Sequence, residues 1–183
     1  MYRRIKPLIV LVGLFVAVFL VVMPARGQSQ LMATSKVAIN GIGPIRVGMT
    51  IQEAEASART RLISDERSEL ETCWYVKPQG GPKEISFMVI NGEIARVDIY
   101  GSNRITTVRG AKIGDSEDRI KSLYPRQIQV SPHEYVQGGH YLTFVPRDAS
   151  DRQYRLVFET DGRRVKLIRA GRLPEVEYVE GCA

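Results

Sequence analysis

The chain reads as an α+β protein of two similar halves, each a helix packed on an antiparallel sheet. Three observations lead there. IRVGMTIQEA from Ile45 and AKIGDSEDRI from Ala111 both place, two residues after a Gly, a hydroxyl residue able to cap a helix. After each phrase come apolar runs split by a Gly-containing turn, Asn91-Gly92 and Asp161-Gly162, the signature of a hairpin. Gly48 and Gly114 are 66 residues apart and Gly92 and Gly162 are 70 apart, so two landmarks repeat at nearly one offset.

The elements follow in order. Residues 1–27 read as a signal peptide: a basic MYRRIK, an uncharged apolar run of 16 residues from Leu8 to Met23, then small Ala25 and Gly27 before a cut near Gln28. The alternative is an uncleaved membrane anchor, for which about 20 apolar residues are the usual span. Residues 28–38 are small and polar and predict a flexible leader. Residues 39–104 form the first repeat and residues 105–183 the second.

In the first repeat Ile45 and Val47 mark a brief extended segment. Thr50 and Glu53 have capping-box spacing, and the helix is predicted from Ile51 to Ile63 with Ala54, Ala58 and Leu62 on one face. A charged link, Ser64 to Glu71, leads to the strands TCWYVK, EISFMVI and EIARVDIY. In the second repeat Ser116 caps a shorter helix closed by Pro125. The strands QIQV, HYLTFV, QYRLVFE and RRVKLIRAG follow, and VEYVEGC predicts a last strand at the C-terminal end.

Charge narrows the function classes. The whole chain has 26 basic and 20 acidic residues, but Arg3, Arg4, Lys6 and Arg26 lie in the signal segment, which leaves a net charge of +2. Those charges are mixed in sign rather than gathered into a basic stripe, so no nucleic-acid partner is expected. The two cysteines, Cys73 and Cys182, are expected to form a disulfide in an oxidising compartment. The alternative is two free thiols. His133 and His140 stand at no metal-ligand spacing to either cysteine, so no metal is expected.

No G-x-S-x-G, H-E-x-x-H, glycine-rich nucleotide loop or C-x-x-C occurs. His133, Glu134 and His140 are the one grouping with acid–base chemistry, and two loop histidines explain it as well. Asp148, Asp151 and Asp161 sit in turn-like stretches, where backbone capping is the expected role. A catalytic set and a cofactor are therefore not expected. Binding is better supported, because tyrosine combines apolar area with a polar tip. The candidate partner contacts are Trp74, Tyr100, His133, Tyr135, His140 and Tyr141, although for Trp74 a place in the core is favoured over a surface anchor. An open sheet face is expected to present Arg96, Asp98 and Arg155, and Ser131–Tyr141 reads as a recognition loop.

The phrase IRVGMTIQEAEA, followed by strands and then repeated in outline, is similar to the opening of the small barrel-assembly lipoproteins of the bacterial envelope (the BamE-like, SmpA/OmlA-like modules). A tandem pair of such units in an exported chain resembles the beta-lactamase-inhibitor-protein fold. The resemblance covers most of residues 39–183 and implies that fold. It carries over no target and no binding residue, and the acylated Cys of the lipoproteins has no counterpart after the signal segment. The expectation is an exported, non-catalytic module that binds another protein in the periplasm or outside the cell, with inhibition of that protein as one form of the binding. The alternatives are a membrane-tethered envelope scaffold and, third, an enzyme of unknown type.

Overall fold

A computed structural model describes residues 30–64 and 72–183. The signal segment, its cleavage position and Asp65–Glu71 of the charged link lie outside the described residues. Among the described residues the fold is α+β, with two α-helices and twelve strands in two sheets.

The smaller sheet is formed by β1 (Lys36–Ala38), β2 (Gly41–Ile42), β3 (Ile45–Arg46) and β8 (Thr106–Thr107), in the order β3-β2-β1-β8. The leader is therefore not a free segment. Val37 and Leu31 are buried in the core, and β1 pairs in parallel with β8. That pairing supplies the hydrogen bonds and apolar cover that local composition does not show.

The larger sheet contains β4 (Leu62–Ile63), β5 (Cys73–Pro78), β6 (Ile85–Ile90), β7 (Glu93–Tyr100), β9 (Ile128–Pro132), β10 (His140–Phe144), β11 (Tyr154–Thr160) and β12 (Val165–Arg172). Its order is β4-β5-β6-β7-β12-β11-β10-β9, with the antiparallel pair β7–β12 at the centre. Asn91 (φ 52°) and Gly92 (φ 87°) make the β6–β7 turn, both left-handed as a two-residue hairpin requires.

Helix α1 spans Ile51–Ala58 and α2 spans Glu117–Leu123. Thr50 and Glu53 close the expected capping box, and Ser116 accepts from Arg119 N. Helix α1 is shorter than its predicted end at Ile63. Arg59 turns left-handed at φ 51°, and Leu62 and Ile63 leave the helix to pair with Pro78 and Lys77. Pairing at a sheet edge outweighs one more helical turn. Gly48 and Gly114 have the same φ of 89°. Gly48 N–H donates to Ile94 O and Gly114 N–H donates to Val165 O, so each glycine meets the start of a long strand.

Strand alternation gives the large sheet two different faces. On the helix side one row runs Val76, Phe87, Val97, Ala170, Leu156 and Phe144 across six strands. These side chains form the main core with α1, α2 and the small sheet. On the other side a row runs Ser86, Asp98, Arg169, Val157, Thr143 and Gln129. The C-terminal residues lie across that second face. The last strand expected from VEYVEGC is a short 3₁₀ turn at Glu175–Glu177 followed by irregular chain. Its carbonyls bond side chains rising from the sheet, which a strand at the sheet edge would not reach.

Candidate functional site

The second face is organised by two arginines that β7 and β12 bury. Arg96 is 3% exposed and Arg169 is 2% exposed. Arg96 NH2 donates to Asp98 Oδ2 at 2.9 Å and to the Tyr75 hydroxyl. Its Nε lies 2.8 Å from Asp98 Oδ1, too bent for a hydrogen bond but close enough for an ion pair. Arg96 NH1 donates to Glu175 O at 2.9 Å and to Tyr178 O at 2.7 Å. Arg169 NH1 donates to the same Tyr178 carbonyl at 2.8 Å, and its NH2 pairs with Glu159 Oε1 at 2.9 Å. Two sheet arginines thus grip one carbonyl of the C-terminal strap. Burial requires such pairing, because an uncompensated charge out of water costs several kcal/mol.

These surroundings move the titrating groups. Burial, reinforced by the Asp98 charge, pushes the Tyr75 hydroxyl well above its ordinary value. Burial pulls Arg169 down from the usual guanidinium value against the opposing charge of Glu159. On the rim, Tyr135 donates to Glu180, and this hydrogen bond is the main reason its hydroxyl is pushed up to about 12.

The strap is also held covalently. Cys73 of β5 and Cys182 form a disulfide with a Cα–Cα distance of 5.4 Å, closing a separation of 109 residues. The pairing is the one expected from the sequence, and an intramolecular disulfide fits an oxidising, exported location. Beside it runs an open groove of about 970 Å³ that includes Ile90, Glu134, Tyr135, Tyr178 and Glu180. Tyr135 is 63% exposed and Tyr178 is 42% exposed on its flanks. A smaller cavity of about 350 Å³ lies between β9, Arg169 and the strap.

The six candidate contact residues do not form one site. His133, Tyr135 and Tyr141 come together: the His133 and Tyr141 rings stack at 4.5 Å, and the Tyr135 and Val136 amides donate to His133 Nδ1. Those two donors leave the ring proton on Nε2, which faces Glu159 at 3.6 Å. His140 is next to Tyr141 in sequence but on the opposite side of the sheet, as strand alternation demands. There its Nδ1 meets Glu117 Oε1 at 2.8 Å, an atom that also accepts from Thr160 Oγ1 at 2.6 Å. Tyr100 lies at the end of β7, half-exposed, with its hydroxyl donating to Lys83 O.

Trp74 is a correction. At 6% exposure it belongs to the helix-side core and offers no surface contact. The open face expected to present Arg96 and Asp98 is also corrected, since the strap covers both. Ser131–Tyr141 is not a free loop: its ends are strand residues of β9 and β10, and only the turn between them is irregular. Asp148 and Asp161 do cap turns, Asp148 accepting from Ser150 N and Asp161 from the amides of Arg163 and Arg164. Sequence reading missed Arg169, Glu159 and Glu175. The available signal was charge at an inward parity within strands that are otherwise apolar on both faces, as in IARVDI and KLIRAG. Among the described residues no group of histidine, cysteine and carboxylate side chains has the arrangement of a metal centre.

No protein-family model matches the chain, and no curated protein matches it. Among solved structures it is similar to the crystal structure of the uncharacterized protein yfeY from Escherichia coli. The two share 17% identity over 75% of this chain and 99% of that one, with a TM-score of 0.48. A likeness at that level carries neither fold nor function across.

Proposed function

We propose that the chain is an exported, non-catalytic module that binds another protein of the envelope or the extracellular space. The observation that carries this reading is the groove beside the strap. It combines exposed tyrosines, which are enriched at protein interfaces, with walls held in place by the disulfide and the two buried arginines. Rigid support of this kind lowers the ordering cost of association. Inhibition of the bound protein is one use of such a surface.

The reading includes two further proposals. Residues 1–27 are an export signal removed near Gln28, in keeping with the disulfide. Residues 39–104 and 105–183 are diverged copies of one helix-plus-sheet unit of the barrel-assembly-lipoprotein and inhibitor-protein type. Supporting the duplication are the equal φ of Gly48 and Gly114, their matching bonds to β7 and β12, and a strand order that reads alike from either end of the large sheet.

Site-specific photo-crosslinking in exporting cells tests the binding role. A photoreactive residue at Tyr135 or Tyr178 should give a discrete adduct that the same residue at exposed Val108 does not. Adducts at neither tyrosine, or equally at all three positions, would overturn it. Mass measurement of the mature N-terminus tests the signal, and a chain retaining Leu8–Met23 would instead favour the tethered scaffold.

A further inference from the structure

The large sheet ends on one side at β9, whose neighbour is β10. Beyond the two ends of the strand, Val145 N–H donates to Gln127 O and His133 N–H donates to Gly139 O, each at 2.9 Å. Antiparallel pairs alternate between those that exchange hydrogen bonds and those that do not. Gln129 and Ser131 therefore bond β10, while the N–H and C=O of Ile128 and Val130, and the C=O of Pro132, point away from the sheet. Gln129, Val130, Ser131 and Pro132 are exposed, which leaves this edge open among the described residues. Sheet edges are usually blunted by shortness, charge, a bulge or proline. The opposite edge, β4, has two residues. Strand β9 has five, runs in unbroken register with β10 and bears no charge; its one such device is Pro132 at the end.

We infer that β9 pairs antiparallel with β9 of a second copy of this chain, about a twofold axis at Val130, joining the two large sheets edge to edge. In that register the edge complements itself, as a twofold contact requires. Val130 N–H donates to Val130 O of the second copy, Ile128 N–H donates to Pro132 O of the second copy, and the axis repeats both bonds. Pro132 thus stands where its carbonyl alone is needed, and Ile128 O at the ladder's end stays with water. Val130 lies on the helix side, opposite Leu142, and its exposed side chain meets the same side chain across the axis, which removes both from water. Gln129 faces Ser131 of the second copy. Beyond the strand ends, Arg126 stands opposite Glu134 of the second copy. Both residues are exposed, and neither has an ion-pair partner among the described residues. This charge complementarity sets the register, because moving the axis to Gln129 would put Arg126 opposite Pro132. It also favours a second copy over an unrelated strand, since one edge carries the cation and the anion equally far from Val130 in sequence. The pairing goes beyond the binding role proposed above and does not depend on it.

The test is sedimentation equilibrium of the exported chain, disulfide intact, over a range of concentrations. The mass should rise from monomer to dimer with a dissociation constant of about 10–500 μM, the weak regime of a small interface. Val130→Lys keeps the outward N–H but sets two ammonium groups on the axis, and should weaken the dimer at least about tenfold. Val130→Pro removes that N–H at an edge position, where proline is tolerated, and should do the same. Thermal unfolding of dilute samples checks that each variant folds. Arg126→Glu alone and Glu134→Arg alone should each weaken the dimer at least about threefold, and the double reversal should restore it to within about twofold of the parent. A chain that stays monomeric up to about 1 mM, or a dimer indifferent to both Val130 variants, would overturn the inference. Charge reversals that fail to compensate each other would overturn the register at Val130. A monomeric chain whose Ile128 and Val130 amides gain exchange protection only in the presence of another protein would overturn the second copy as the occupant.

Discussion

Replacing Arg96 by Met should be among the most damaging single changes on the second face. Asp98 is almost fully buried, and Arg96 contacts both of its oxygens. Removing the cation leaves a buried carboxylate without its partner, which costs about 3–5 kcal/mol. Glu175 O and the Tyr75 hydroxyl lose a donor as well, while Tyr178 O keeps Arg169. In the double variant Arg96→Met/Asp98→Leu the orphaned carboxylate is gone. What remains is the lost donor to Glu175 O and a Tyr75 hydroxyl deprived of both Arg96 and Asp98, together about 2–3 kcal/mol. The two substitutions should therefore couple by at least about 2 kcal/mol, the double variant being more stable than the Arg96→Met single. The assay is equilibrium urea unfolding with the disulfide intact, followed by the fluorescence of Trp74, the one tryptophan of the chain. At a slope of about 2 kcal/mol/M, the single variant should lose about 2 M in midpoint. A loss under about 1 kcal/mol for Arg96→Met, or strict additivity in the double variant, would refute the account of a pair sustained by mutual burial.

The disulfide closes a separation of 109 residues. Cys73→Ser/Cys182→Ser should thus lower stability by about 4–5 kcal/mol in the chain-entropy account, and a urea-measured loss below about 2 kcal/mol would contradict it. Gly48→Ala and Gly114→Ala meet no atom within 4 Å of the added Cβ, so each should cost only the strain of a left-handed backbone, about 1–2 kcal/mol. Thermal unfolding should find the two costs alike; a difference above about 1 kcal/mol counts against a shared origin. Burial raises the Glu117 pKa, but the hydrogen bonds from Thr160 and His140, with the charges of His140 and Lys121, outweigh it and the net shift is downward. A carboxyl with a lowered folded value adds stability above its unfolded value and loses it as pH falls through the folded one. Glu117→Gln should accordingly destabilise at about pH 7 and differ little from the parent at about pH 2; a penalty that persists in acid would sink this reading.

Much of the fold was legible in residue order because its signals are local. Thr50 and Glu53 mark a capping box four residues long. Asn91-Gly92 marks a hairpin because both residues accept a left-handed backbone. The core rows follow from alternation along β6, β7, β11 and β12. The disulfide was expected from two cysteines and an anticipated oxidising compartment, and the structure pairs them. Where the reading failed, a distant partner had the deciding vote. Helix α1 ends early because Leu62 pairs with Pro78. The leader becomes a strand because Lys36 finds Thr106.

The candidate site shows the same division more sharply. Chain order put Tyr135, Tyr141 and His133 within one short stretch and offered Cys182 as a tether for the C-terminal end, with free thiols as the alternative. The packed chain stacks the His133 and Tyr141 rings and closes the bond to Cys73. Chain order also carried the alternation that sets His140 and Tyr141 on opposite faces. The packed chain decided which face is covered. Arg96 meets Glu175 O across 79 positions and Tyr178 O across 82, so no local pattern could reveal that the sheet charges are buried beneath a strap. Burying a guanidinium is favourable only when such acceptors converge on it, and convergence from remote segments exists only once the whole chain has packed.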